Sequence, residues 1–344
     1  MPAHPRRPQE GHHHRHHHRR HRRRTWLRAC AALAVASMTA PAALAADAFP
    51  SKPITIIVPF SVGGSTDLVA RLVATGMSAR GTSALVDNRT GGGGVIGWGT
   101  VARAAPDGYT MLTTEMSYAI AATLLPKLPF DPHKAIRMVT VAAAMPHVLV
   151  VHPGVPAKTV QEFIALAKAN PGKYYYGSGG NGTNTHMGGA LFNSLAGVNL
   201  VHVPYRGAGA ALQDLMGGQV QALITSLPTA LPYIKSGKVR ALMLANDTRS
   251  PVLPDVPAAP EVGLPKMVMK FWVGFSVPAG TPQPVIDKLN REMVDAVNTP
   301  EVRKSLQEQG LDAVGSTPAE ATKLLNDEIQ RWGAVIKAAN IKPD

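Results

Sequence analysis

The chain has 344 residues, 45% of them hydrophobic and 17% charged, with one Cys and a formal net charge of +13 at pH 7. That charge is lopsided: residues 1–45 hold nine Arg and one Glu, which leaves 26 basic against 21 acidic residues, or +5, in the 299 that follow. At +5 with scattered charges there is no electrostatic footprint for nucleic acid. Because the one Cys, Cys30, lies in the leader, the rest of the chain has no disulfide, thiol nucleophile or thiolate metal site.

Residues 1–45 read as a signal peptide. Arg19–Arg28 is a basic start, Ala29–Ala40 a short and weakly apolar stretch, and Ala43-Leu44-Ala45 an A-x-A cleavage motif before Ala46. The apolar part is too short and alanine-rich for a membrane span. Arg23-Arg24-Thr25-Trp26-Leu27-Arg28 resembles a twin-arginine export motif, with the general secretory route as the alternative. The tract His12–His21 has a metal-binding composition, but upstream of a cleaved segment it reads as an extended basic start or a start codon assigned too early. Cys30 precedes the apolar stretch, so it is not the lipid-bearing residue of a lipoprotein.

After the leader, Ile54–Val58 is a β-branched run suited to a strand buried on both faces. Pro59 stops it, Gly63-Gly64 form a loop, and Ser65 or Thr66 is the expected N-cap of a helix with Leu68, Val69, Leu72, Val73 and Met77 on one face. Such a strand, glycine loop and helix start is a ready anion seat, or an ordinary connection. Arg71 lies four residues beyond Asp67 and can neutralise it. The pattern repeats with strands at Ala84–Asn88 and Tyr109–Thr114 and helices at Val95–Ala104 and Ser117–Leu125. Alternating strands and helices predict a parallel sheet, with the loops Phe60–Thr66, Arg89–Gly94 and Glu115–Ser117 on one edge.

Beyond an irregular link at Pro126–Pro132, a strand at His147–His152 and a helix at Lys158–Asn170 open a second series. Its strands are Tyr174–Tyr176, Leu200–Val203, Ala222–Thr225 and Val239–Ala245. The loop Gly177–Thr185 leads into a helix with Met187, Ala190, Leu191 and Leu195 on one face, closed by Gly197; Ala210–Met216 is a further helix. Phe271–Val277 is a strand, and three helices follow, each announced by Thr-Pro as N-cap and first helical residue: Thr281-Pro282, Thr299-Pro300 and Thr317-Pro318, the last with Glu320 for a capping box.

Enzyme signatures are missing. Gly92-Gly94-Gly97 and Gly177-Gly179-Gly182 match G-x-G-x-x-G, but without the acid about twenty residues on that holds a ribose. There is no phosphate loop, no G-x-S-x-G, no S-x-x-K and no H-E-x-x-H. His186 is a ligand, a loop-orienting contact or a hydrogen-bonded helix-start residue; Arg206 pairs with a carboxylate or is a solvated surface cation; Tyr174–Tyr176 is strand core rather than a stacking platform. What remains is two sets of Gly, Ser and Thr loops suited to small anions.

The ordered segments PFSVGGSTDLVAR, NRTGGGGVIG, PDGYTML, GSGGNGTNTHMGGALF, HVPYRGAGAALQDLMGGQV, IKSGKVRAL, LPDVPAAPEVGLP and WVGFSVPAGTP resemble those of the periplasmic receptors of tripartite tricarboxylate transporters, the Bug receptors, over Phe49 to Asp344. The resemblance implies an α/β, two-lobed type-II periplasmic binding protein (a Venus flytrap), with a parallel-rich sheet and flanking helices in each lobe. It implies lobe 1 from 48–150 plus 252–344, lobe 2 from 151–251, and crossings near His147–His152 and before or at Phe271–Val277. The implied activity is hinge closure on a small organic carboxylate and delivery to membrane permease subunits. A monomer in the periplasm is expected, with no cofactor, metal, nucleic acid or catalytic residue. The alternatives are a ligand sensor for a signalling partner and a periplasmic enzyme acting on a small acid.

By position, the resemblance places Phe60, Val62, Gly63, Gly64, Ser65, Met116 and Ser117 at the ligand from lobe 1. From lobe 2 it places Ser178, Gly179, Asn181, Gly182, Thr183 and His186, with Tyr205, Gly207, Thr225 and Ser226 nearby. Three departures from the family pattern stand out: four glycines at Gly91–Gly94 where Gly-Ala-Gly-Gly is usual, Ala190 where an acid is common, and Thr225 where Asp is common. The last removes a partner for a ligand ammonium, so a ligand without an amino group is expected. β-Branched residues at Gly64 or Gly182 are expected to weaken binding strongly.

Overall fold

Ile54–Val58 forms strand β1, and Ile54, Ile56, Ile57 and Val58 are buried, as the β-branched run predicts. The computed structural model of the chain describes residues 49–125, 127–338 and 341–342. The signal peptide, export motif, histidine tract and Cys30 lie outside the described residues. Strands β2 (Ala84–Asn88) and β3 (Thr110–Glu115) flank β1 in parallel. The loops after β1, β2 and β3 therefore share one sheet edge. Helix α1 (Ser65–Ala79) follows β1 and buries Val69, Val73 and Met77, while Leu68 and Leu72 are half-buried. Its N-cap is Gly64, one residue before Ser65 and two before Thr66, the expected caps, and no side chain caps it. A 3-10 turn at Gly92–Gly94 precedes helix α2 (Val95–Ala102), and helix α3 (Met116–Leu124) is capped by Glu115.

The next strand, β4, is far longer than predicted: Ile136–Val151, 16 residues instead of His147–His152. Pro146 sits where β4 changes partner. Up to Pro146 the strand pairs antiparallel with β9 (Lys270–Pro278), ending at Pro146↔Lys270. From His147 it pairs instead with β7 (Ala222–Ser226) and β8 (Arg240–Ala245). A residue with no N–H is tolerated where one ladder gives way to another. The sheet is consequently mixed, in the order β2-β1-β3-β9-β4-β7-β5-β6, with β8 and β10 (Asp312–Ala313) also on β4. Strands β5 (Tyr175–Ser178) and β6 (Val201–Pro204) restore parallel pairing beyond β7.

Helices α4 (Val160–Ala169), α5 (Asn184–Ala196), α6 (Ala208–Met216) and α7 (Leu227–Lys235) cover this second stretch. The buried face of α5 is not the expected one: Met187 is buried, but Ala190, Leu191 and Leu195 are half-buried and Phe192 takes the core position. The reason is Gly188-Gly189, which bring the helix flush against the sheet; a Cβ on Gly189 would lie 2.0 Å from the Tyr176 ring. The chain ends in α8 (Gln283–Val297), α9 (Pro300–Glu308) and α10 (Pro318–Ala338). Thr299 caps α9, and Thr317 with Glu320 closes the capping box of α10. Thr281 does not cap α8: its hydroxyl donates to Pro278 O at 2.8 Å, and Pro282 is the N-cap.

Two of the hydrophobic clusters among the described residues draw on different parts of the sheet. One gathers Ile57, Trp98, Leu112, Tyr118 and Trp272 with Ala321 and Leu325 of α10; the other gathers Val148, Val150, Leu212, Leu223, Leu231 and Leu244. The C-terminal helix thus returns to pack with the β1–β3 end of the sheet. Among the described residues, no helix is long and apolar enough to cross a membrane.

Candidate ligand-binding site

Asp67 anchors the first glycine loop. Its carboxylate accepts from the Gly63 N–H at 3.2 Å, Arg71 at 2.9 Å and Asn88 Nδ2 at 3.0 Å, and Asn88 also donates to Phe60 O at 3.0 Å. Burial works against the charge, but these hydrogen bonds and the Arg71 cation outweigh it and hold the carboxyl below its ordinary range. The loop leads to the uncapped start of α1. Two more helix starts at the same place lack side-chain caps: α6 with N-cap Gly207 and α7 with N-cap Ser226. Each leaves main-chain N–H groups without intrahelical partners at a positive dipole end.

These starts enclose a small cavity of about 30 Å³, counted as space open to the centre of a water-sized sphere. That exceeds the roughly 10–15 Å³ one water needs. Phe60, Ser61, Gly64, Ser65 and Thr66 form one wall. Gly179, Thr183, Asn184 and Thr185 face them, and Ala208, Thr225, Ser226 and Phe271 complete the lining. None of the lining side chains is ionisable. The Ser61 and Thr225 hydroxyls are buried there with no hydrogen-bond partner, so both remain available to an incoming polar group.

Hydrogen bonds cross the cavity between the two stretches of chain. Ser226 Oγ donates to Ser65 Oγ at 2.8 Å, and the Ser65 N–H donates to Thr229 Oγ1 at 3.0 Å. The Asn184 N–H donates to Ser117 Oγ at 2.9 Å. Gly207 sits so close to the first loop that a Cβ on it would lie 2.3 Å from Ser61 Oγ.

Of the residues singled out from sequence, Phe60, Gly64, Ser65, Gly179, Thr183, Thr225 and Ser226 line the cavity. The others do not. Val62 is 64% exposed, and Met116 is packed in the core. Ser117 stands one layer back, bonded to Asn184. Ser178 Oγ bonds His202 Nε2 at 2.6 Å. Gly63 points its N–H at Asp67, and the Gly182 N–H donates to His186 Nδ1 at 3.3 Å. The His186 ring stacks on His202 at 4.2 Å, so its geometry is that of a loop-orienting contact. Asn181 and Tyr205 border an open hollow of about 650 Å³ with Gly93 and the exposed Arg206. Burial first, then Asp214, pushes the Tyr205 hydroxyl up to about 12.

Sequence reasoning missed Ser61, Thr66, Asn184, Thr185, Ala208 and Phe271. The first four lie inside the quoted segments PFSVGGST and GSGGNGTNTH, where runs of consecutive residues line the cavity; Phe271 had no signal. Among the described residues, no cluster of His, Cys, Asp and Glu is placed to hold a metal ion.

A mixed α/β sheet carries a polar cavity walled by helix starts, with no ionisable side chain in its lining. The profile of the tripartite tricarboxylate transporter family receptors (TctC) matches residues 69–341, and the chain belongs to that family. It is 36% identical to the protein BugT of Bordetella pertussis over 313 residues, 90% of this chain and 95% of that one. Among solved structures, MatC of Rhodopseudomonas palustris with bound malate is 34% identical with a TM-score of 0.81, covering 84% of this chain and all (100%) of MatC. A second R. palustris protein, solved with adipate, is 32% identical with a TM-score of 0.83, covering 86% of this chain and 100% of that one.

Proposed function

We propose that this receptor captures a small organic carboxylate lacking an amino group, between two lobes that close over it, and delivers it to the membrane subunits of a tripartite transporter. The observation that carries the carboxylate is the cavity wall: three uncapped helix starts and two partnerless hydroxyls, with no ionisable side chain. Helix starts whose N–H groups have no intrahelical partner favour an anion, and a lining without a carboxylate gives an ammonium nothing to pair with. The malate and adipate bound by the two R. palustris relatives agree with this class.

The lobes are 48–150 with 252–344, and 151–251. The partner change at Pro146/His147 and the two separate hydrophobic clusters support that division. The protein acts as a periplasmic monomer, exported by the signal in residues 1–45, and has no catalytic role. Calorimetry with matched pairs, malate against aspartate and 2-oxoglutarate against glutamate, tests the ligand. The expected result is that whichever acid binds does so at least about tenfold more tightly than its amino analogue, a difference of about 1.4 kcal/mol. Tighter binding of the amino acids overturns the assignment.

A further inference from the structure

Behind the cavity wall lies a carboxyl group that ligand capture leaves unexplained. Glu115 ends β3 with no solvent exposure. Its Oε2 accepts from the Ser117 N–H at 2.7 Å and from Asn184 Nδ2 at 3.1 Å, while Oε1 is buried with no hydrogen-bond partner. Asn184 opens α5 on the facing side of the cavity, so this bond spans the cleft. With its Nδ2 donating to Glu115 and Ser117, Asn184 presents Oδ1 to His147 Nε2 at 2.9 Å. His147 Nδ1 in turn lies 3.2 Å from Met269 O. His147 and Met269 stand where the chain passes between the two parts of the sheet. One line of contacts therefore runs from β3 across the cleft to both crossing segments.

Few other ionisable groups belong to the elements around Glu115. Burial pushes His147 on β4 down, against the effect of its contacts with Asn184 and Met269. His186 lies two residues on from Asn184 and stacks on His202. Tyr118 on α3 is pushed up by burial and then by Asp131. On α10, Glu328 is engaged with Trp332 and Arg331. Strand β1 and residues 271–277 of β9 carry none.

We infer that Glu115 couples cleft closure to proton binding, the closed receptor holding a proton on Glu115 Oε1 that the open receptor releases. The inference rests on the closing motion proposed above and not on the ligand. With Asn184 bridging to Glu115 as in this structure, burial outweighs the bonds from Ser117 and Asn184 and pushes the carboxyl up to about 7. When the lobes part, Asn184 leaves and water reaches the carboxyl, which returns toward its ordinary value of 4.5. The sign follows from linkage. The state with the raised value is favoured at low pH and loses that advantage as pH rises from about 4.5 to about 7. In that window closing takes up a proton, and the closing constant falls by up to about tenfold per pH unit.

Small-angle X-ray scattering of the ligand-free protein between pH 5 and pH 8.5 tests this without any choice of ligand. The expected wild-type result is a compact particle at pH 5 that expands as the pH rises toward 7 and changes no further above it, while E115Q stays compact throughout. Dimensions that do not change with pH, or that change equally in E115Q, overturn the inference and leave the carboxylate assignment standing. If E115Q fails to fold, carboxyl 13C NMR of the wild type decides. A glutamate resonance titrating near neutrality together with the expansion supports the inference, and titration of every glutamate in the ordinary range overturns it.

Discussion

Thr225 is buried in β7 against Val148, and its hydroxyl has no partner although it lines the cavity. Substitution Thr225→Val keeps the shape and removes only that hydroxyl. Folding stability should therefore hold or rise slightly, while ligand affinity falls about fivefold, for one lost hydrogen bond of about 1 kcal/mol. Calorimetry beside urea unfolding separates the two, and an unchanged affinity places the ligand elsewhere. Glycines in the loops differ more than their letters suggest. Gly64 has φ −79° and its nearest obstacle is Ser61 O at 3.8 Å, so Gly64→Ala should cost less than about 0.5 kcal/mol of binding. The expectation from sequence concerns a β-branched residue at Gly64, a larger change than this one. Gly207 has φ +151° and touches Ser61, so Gly207→Val should weaken binding about tenfold or more through strain of about 1–3 kcal/mol. Which glycine is tight depends on what faces it across the cleft, and that long-range fact has no local signature. Thr225 stood out because it occupies a place where the family commonly has Asp. Glu115 did not, because only its burial and its contact with Asn184 make it unusual.

At the level of elements, the helix starts wall the cavity and the strands set where they point. α1, α6 and α7 gain little from local capping, so their packing must hold them. Helix α2 is packed as closely: a Cβ on Gly97 would lie 2.7 Å from Pro59 and 3.0 Å from Arg89 O. Gly97→Ala should destabilise the fold by about 1–3 kcal/mol, read as a lower urea midpoint with an unchanged m-value. The βα units were legible because β-branched runs, glycine loops and helical spacing agree locally. The long β4 was not. Its first half, Ile136–Pro146, is alanine-rich and ends in proline, and pairing with β9, more than a hundred residues away, makes it a strand. The antiparallel centre of the sheet was hidden for the same reason, since strand direction is decided by distant partners.

On the scale of the whole molecule, two buried carboxyl groups pull stability in opposite directions with pH. Asp67 is held below its ordinary value of 3.8, so its contribution is present above that pH and is lost as acid protonates it in the fold. Glu115, raised to about 7, costs stability as pH climbs from about 4.5 toward 7. Urea midpoints measured from pH 3 to pH 8.5 should pass through a maximum. Asp67→Asn should flatten the acid limb and E115Q the other; limbs that survive both changes would assign the pH dependence to other groups. The separate hydrophobic clusters on either side of the partner change fit a molecule built to bend there, and what it should close on is an anion. A thermal-shift screen comparing mono-, di- and tricarboxylates with their amides and alcohols, on protein stripped of bound ligand, tests that most directly. A ligand at 100 times its Kd adds about 2.7 kcal/mol, or a rise in Tm of roughly 5 °C for a chain of this size. A rise of that order with an acid, and none with its amide or alcohol, is the expected result. Equal shifts with the uncharged analogues, or no shift with any acid, would contradict the carboxylate.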